Sequence, residues 1–449
     1  MKFRDQFGNP VSTRSRAALD LFDRAVAQFG VYQIDPLATI DEALAIDPDF
    51  VMAHCFKASL LATTSERGCE PGIAAALEAA EGRVGLALAR ERMHLNALRA
   101  WLSRDFAGAV KLYGDISAEH PRDLHALQIA HLFDFLLGNS TMLRDRPVQV
   151  LHAWSESDPQ RGLVLGMHAF GLEECGAFDA AEAAGRRAME LNPADIWAVH
   201  AVTHVLEMRG QTGAGIGWLK ETAPAWSERN IFAFHNWWHL ALYYLDFRNY
   251  EAALEIYDTH IRPTASRVAG EMVDASALLW RLRLQKVDVG DRWANLAASW
   301  SEFAEDGYYA FNDVHALMAF LSTGDQRQTQ RIMAGLQSAA RRTDTNGMMS
   351  REVGLPMARA LCAIERQDYE IAIDELQGVR AIAQRFGGSH AQRDLLQLTA
   401  TEAALRAGRR SLARALVAER LAIKPRSEFN GGLLERCQSL NPDEDMCPA

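Results

Sequence analysis

The sequence is poor in the features that would settle its class at once. Six cysteines are spread over 449 residues, Cys55, Cys69, Cys175, Cys362, Cys437 and Cys447, and no two stand in a CxxC pair. A thiolate metal knuckle or a disulfide framework is therefore not expected, and reduced thiols in a cytoplasmic protein are; only Cys437 and Cys447 are placed to pair in an oxidising medium. No run approaches the roughly 20 uninterrupted apolar residues needed to span a bilayer. Met1 to Gln6 leads straight into polar sequence, so no secretory leader is expected there. Long Lys/Arg blocks are missing, and 47 basic against 58 acidic side chains give a formal charge of −11, which argues against nucleic acid or an anionic membrane as partner. The alternation of a β-strand is absent as well.

What is present is helical periodicity rich in alanine, with a repeat inside it. A small residue is followed twelve later by a second, four further on by an aromatic or aliphatic, three on by another packing residue, and often by a proline after five more. Ala97, Ala109, Tyr113, Ile116 and Pro121 fit, as do Ala169, Ala181, Ala188 and Pro193 with Gly185 in the larger residue's place. Thr203, Gly215, Leu219 and Thr222 repeat the pattern without the proline, followed by Ala241, Ala253, Tyr257 and His260. Ala360, Ala372, Leu376 and Val379 resume it, then Thr401, Ala413, Val417, Arg420 and Pro425. Small residues let two antiparallel helices cross closely, and the proline stops the second helix because it cannot extend the hydrogen-bond ladder. The spacing from Ala169 to Thr203 is the tetratricopeptide period of about 34, and Trp237, Leu240, Ala241 and Tyr244 supply that repeat's opening.

The expected fold is all-α: a tetratricopeptide-type, right-handed α-solenoid of roughly ten to twelve stacked helical hairpins. Residues 1–449 are expected to form one continuous superhelix, with regular repeats over about 90–262 and 353–425. An irregular helical insert over about 265–350 and a polar tail over 426–449 complete it.

Five motifs in the middle and C-terminal parts carry a resemblance. They are Asn192-Pro193-Ala194-Asp195-Ile196-Trp197-Ala198-Val199-His200 running on to Thr203-His204 and Glu207, then Phe234-His235-Asn236-Trp237-Trp238-His239. Tyr257-Asp258-Thr259-His260, Phe311-Asn312-Asp313-Val314-His315 and Gly387-Gly388-Ser389-His390-Ala391-Gln392-Arg393-Asp394 follow. In this order the sequence resembles the tetratricopeptide repeat protein 38 family from roughly residue 10 to 425. The resemblance implies an intracellular helical-repeat protein and brings no shared activity. It departs at His390, where that family more often carries asparagine.

The chemistry-bearing residues gather between positions 200 and 315. His200 and His204 lie four apart with Glu207 three further on, a spacing that puts all three on one helical face. His235 and His239 repeat the spacing on the next first-type helix, with Trp238 as the counterpart of His200 and a candidate stacking wall. Asp258 and His260 belong to the following helix, and Asp313 and His315 to a later one. Two His-x3-His clips could hold zinc or a similar ion with an open position for water. Without metal, the same imidazoles and carboxylates could bind a polar molecule and one pair could act as general base. Histidines used only as hydrogen-bonded packing are the remaining reading, and HExxH is absent.

The expected function is a binding protein holding a polar small molecule or short peptide in an inner-groove pocket. Its expected ligand-binding residues are His200, His204, Glu207, His235, Trp238, His239, Asp258, His260, Asp313 and His315. The alternatives are an enzyme, a hydrolase or lyase with or without metal, and a plain protein-interaction scaffold. No cofactor is named by the sequence. Gly387-Gly388-Ser389 has no phosphate-loop frame and reads as a helix stop followed by a Ser389/Gln392 capping box. His131 extends the pocket or fills a gap.

Overall fold

The structure, a computed structural model, describes residues 3–303 and 307–440; the Asn441–Asp445 stretch and Cys447 lie outside them. Among the described residues the chain is helical, and its extended pairing is confined to two isolated bridges, Arg4 with Pro10 and Gln33 with Asn230. Consecutive helices pack in pairs: Ala89–Leu102 on Phe106–Glu119, Pro159–Glu174 on Phe178–Leu191, Leu355–Glu365 on Tyr369–Val379, and His390–Arg406 on Arg410–Ile423. These are the hairpins of a tetratricopeptide-type solenoid, and the small residues of the repeat sit at their crossings. Ala97, Ala109, Ala169, Ala181, Ala241, Ala253, Ala360, Ala372 and Ala413 are all fully buried.

The backbone groups into two compact units. The first comprises residues 1–202 and 222–233, the second 203–221 and 234–449. In a plain solenoid each hairpin touches only its neighbours. Each of these units instead makes contacts over long sequence distances within itself. In the first, Val31–Ile34 pairs with Arg229–Ile231: Ile34 N–H donates to Arg229 O (3.0 Å) and Ile231 N–H to Tyr32 O (2.8 Å). In the second, the helix Ala269–Leu284 packs on His390–Arg406, with Trp280 Nε1 donating to Thr399 Oγ1 at 3.1 Å. The chain's later part also returns to its earlier one, Lys424 reaching Glu207 and Ser427 reaching Asp246.

One crossing shows why the repeat asks for a small residue. A Cβ on Gly215 would stand 2.1 Å from Cζ of Tyr243, whose ring is buried and whose hydroxyl donates to Thr203 O at 2.7 Å. Gly215→Val should therefore displace Tyr243, break that bond, and cost about 2–4 kcal/mol. Urea denaturation followed by circular dichroism measures it. Paired Tyr243→Phe, which removes only the hydroxyl, should cost no more than about 1.5 kcal/mol.

Candidate functional site

The second unit's interior is polar where a helical core is normally apolar. On the helix Ile196–Met208, His204 and Glu207 project one turn apart. On the helix Ala233–Asp246, His235 and His239 do the same. His204, His235 and His239 each offer a ring nitrogen, and these lie within 4.8 Å of one another. The His204 and His239 rings meet at 4.4 Å and 67°, those of His235 and His239 at 4.9 Å and 87°. All three side chains are buried.

Each imidazole of the second helix is oriented by a carboxylate. His235 Nδ1 lies 2.6 Å from Asp274 Oδ2 and His239 Nδ1 lies 3.1 Å from Glu207 Oε2. With Nδ1–H donated to a carboxylate, the lone pair of each ring falls on Nε2. Burial pushes the His204 imidazole well below its usual value, aided by His239 beside it. Burial also lowers His239, against the opposing pull of its bond to Glu207. Both rings are therefore neutral at physiological pH. Glu207 goes the other way: burial would raise it, but the Lys424 ammonium and the His239 N–H outweigh burial and hold it well below the usual carboxylate range.

Beyond Glu207 the interior carries matched charges. Lys424 Nζ donates to Glu207 Oε1 at 2.9 Å, and although burial disfavours its charge, Glu207 and Asp394 raise its pKa. Arg420 donates to both oxygens of Asp394, at 2.6 and 3.2 Å. Arg281, on the same helix as Asp274, is buried, donates to Ala391 O at 2.6 Å and stands over the Trp238 ring. Glu207, Thr212, Asp246, Arg281, Asp394 and Lys424 are among the walls of a cavity of about 50 Å³. The buried polar atoms without a hydrogen-bond partner include both ends of the Asn236 amide, Nε1 of Trp238 and Nε2 of His315.

The residues expected from sequence divide. His204, Glu207, His235 and His239 come together as described. Trp238 is fully buried and stacks on His235 at 5.3 Å and 17°, a wall of this cluster rather than an open groove face. His315 is buried with Nδ1 bonded to Phe311 O at 2.8 Å, and burial lowers it to about 4. Asp313 is buried on the same helix, Ala310–Thr323. His200 packs within the first unit against Phe170, stacked at 5.1 Å, and edge-on to Phe232 at 5.2 Å.

Asp258 and His260 are not brought to the cluster. Tyr257–Ile261 forms a π-helical turn, which takes one more residue per turn than an α-helix. Ile261 therefore fills the packing place expected of His260. His260 is exposed and stacks on Trp237 at 3.9 Å, and Asp258, also exposed, pairs with Arg292 at 2.5 Å. His131 fills a gap in the first unit, where it accepts from Trp197 Nε1 at 3.0 Å. The Gly387-Gly388 stop and the Ser389/Gln392 capping box form as read. Gly388 has φ +79°, and a Cβ there would meet the Phe311 ring at 2.7 Å.

Sequence reasoning missed Asp274, Arg281 and Lys424. The first two had a visible signal: a carboxylate and a guanidinium seven residues apart, on one face of a helix whose other charges, Glu271 and Arg283, lie near its ends.

No protein-family model matches the chain. Among solved structures it is similar to human IFIT1 in its dimer with m7Gppp-AAAA, at 13% identity over 98% of each chain with a TM-score of 0.41. Yeast Tom70 is similar at 12% identity over 95% of this chain and 96% of that one, TM-score 0.33. A chain of the APC/C hetero-tetramer Cut9–Hcn1 is similar at 13%, 95% and 96%, TM-score 0.32. Such likenesses concern helical-repeat architecture alone, and by its own hairpin packing this chain has the tetratricopeptide-type fold.

Proposed function

We propose that the chain is a helical-repeat binding protein whose second unit holds a small polar molecule among His204, Glu207, His235, Trp238, His239 and Arg281. The observation that carries this reading is the set of buried polar atoms at Asn236, Trp238 and His315 that the protein leaves without a partner. Each such group costs about 1–3 kcal/mol when left unanswered, which favours an interior completed by something else. Of the proposed residues, Glu207 and Arg281 wall the cavity of about 50 Å³, which has room for a few atoms, since a single water takes roughly 10–15 Å³. That supports a small molecule over a peptide segment.

Four of the five motifs that resemble the tetratricopeptide repeat protein 38 family contribute residues to the second unit's interior: Glu207, His235, His315 and Gln392 stand for them. This supports kinship with that family as the finer reading of the fold. A cytoplasmic location is supported by Cys55, Cys69, Cys175, Cys362 and Cys437, all free thiols.

A thermal-shift panel of amino acids, amines, carboxylates and phosphates, run in EDTA, tests the reading. A binder held at 100 times its Kd should add about 2.7 kcal/mol to stability, and Arg281→Met should abolish the shift. A panel without a hit at millimolar concentration overturns it.

A further inference from the structure

We propose that His204, His235 and His239 form a three-histidine site for a divalent transition metal of the zinc class, with Asp274 and Glu207 orienting two of the ligands. The inference rests on reading the second unit's interior as a binding site, and names what part of it takes.

The donor set is the first argument. Three imidazoles without a carboxylate oxygen among them suit zinc, copper, nickel or iron, whereas magnesium and calcium ask for oxygen ligands. Geometry is the second. A Zn–N bond of about 2.0–2.1 Å sets tetrahedral ligand nitrogens about 3.3 Å apart. The three ring nitrogens already lie within 4.8 Å of one another. Closing the difference takes movements of about 1.5 Å at most, which χ adjustments within a rotamer well supply. The His235/His239 spacing is a one-turn clip, and His204 approaches from another helix, so the three do not lie in a row. Their mutual inclinations, 67° and 87°, set adjacent rings in different planes.

Orientation is the third argument. A metal-bound histidine characteristically donates its other N–H to a carboxylate, which fixes the tautomer and sharpens the ligand's basicity. His235 with Asp274 and His239 with Glu207 reproduce that relation twice. Packing histidines have no need of two separate carboxylates taken from two other helices.

The test uses the full-length chain made without a polyhistidine tag, stripped with EDTA and titrated with Co(II) and then Zn(II) under equilibrium dialysis. One ion per chain is expected, with the strong visible bands of four-coordinate Co(II). His235→Gln and His239→Gln should lose both, His260→Gln should keep both, and Asp274→Asn should weaken affinity by about 10–100-fold. Should the histidine variants fail to fold, X-ray absorption at the cobalt edge of the loaded wild type gives the same answer, with imidazole nitrogen ligands expected. A wild type that takes up no stoichiometric ion, a site that survives both histidine substitutions, or a bound ion without imidazole ligands overturns the proposal. Because the small-molecule panel is run in EDTA, a hit there with no metal site sinks this inference alone. A metal site without any such hit sinks the small-molecule reading instead.

Discussion

Lys424→Met is expected to lower the stability of the protein by about 3–5 kcal/mol at neutral pH, because it strands the Glu207 carboxylate in the second unit's interior. The Lys424 side chain is largely buried and Glu207 nearly completely so; removing the ammonium takes away the largest interaction that opposes burial and leaves chiefly the His239 N–H. Methionine keeps most of the lysine stem's packing, so the loss reports charge rather than volume. The pH dependence supplies the signature. In the wild type Glu207 is held below the ordinary glutamate value of 4.5, so its contribution is present above that value and is lost as pH falls through the folded one. In the variant the carboxyl rises and takes up a proton earlier. The gap between the two proteins should be widest at neutral pH and should narrow on acidification through the carboxylate range. Glu207→Gln combined with Lys424→Met should recover a large part of the loss, since the amide oxygen still accepts from His239 and no charge is left alone. Urea midpoints across pH measure all three proteins. A gap that stays constant with pH would show that Lys424 acts by packing and that Glu207 is not the group it compensates.

Much of this interior was written in local sequence, and the part that was not has a physical reason. The repeat was legible because close helix crossings demand small residues at fixed spacing, and Ala97, Ala169 and Ala360 meet the demand wherever they occur. The His235/His239 clip and the Ser389/Gln392 box were legible because partners three or four apart are fixed by helix geometry alone. Lys424 was not, since its partner lies 217 positions away and the contact exists only because residues 424–427 return to the helices Ile196–Met208 and Ala233–Asp246. His260 and Asp258 were misplaced for a different cause: twelve-four-three spacing assumes an α-helix throughout, and the π-helical turn at Tyr257–Ile261 shifts the register by one. The buried ion network of the first unit was not legible, because its members come from three separate stretches, Asp5, the helix that carries Arg90 and His94, and Asp123, in a sequence with ordinary charge density.

That network carries the other large prediction. Arg90 is buried against Asp123, with Asp5 at 3.6 Å, and His94 Nε2 reaches the same Asp123 oxygen at 2.9 Å. Burial would raise the Asp123 carboxyl, but Arg90 and then His94 overcome it and hold it well below the ordinary value of 3.8. Asp123→Asn should cost about 3–5 kcal/mol, because a guanidinium that is almost wholly out of water loses its principal counterion. Asparagine can still cap the helix Leu124–Leu136 as Asp123 does through Ala126 N–H at 2.9 Å, so Asp123→Ala should cost about 1 kcal/mol more. Asp20→Asn supplies the contrast: its pair with Arg16 is exposed on both sides, and its removal should cost under about 1 kcal/mol. The sign with pH follows from the depressed carboxyl, whose stabilisation is present above 3.8 and disappears as pH falls through its folded value, so Asp123→Asn should flatten the acid limb of the stability curve as well as lower its plateau. The network also ties the chain's first residues down, since Arg122, beside Asp123, donates to Phe7 O at 3.0 Å and Asn9 donates to Arg122 O at 3.1 Å. Limited proteolysis of Asp123→Asn should therefore cut within residues 3–14 before anywhere else. Equal losses from Asp123→Asn and Asp20→Asn would mean that burial adds nothing to the first unit's ion pairing.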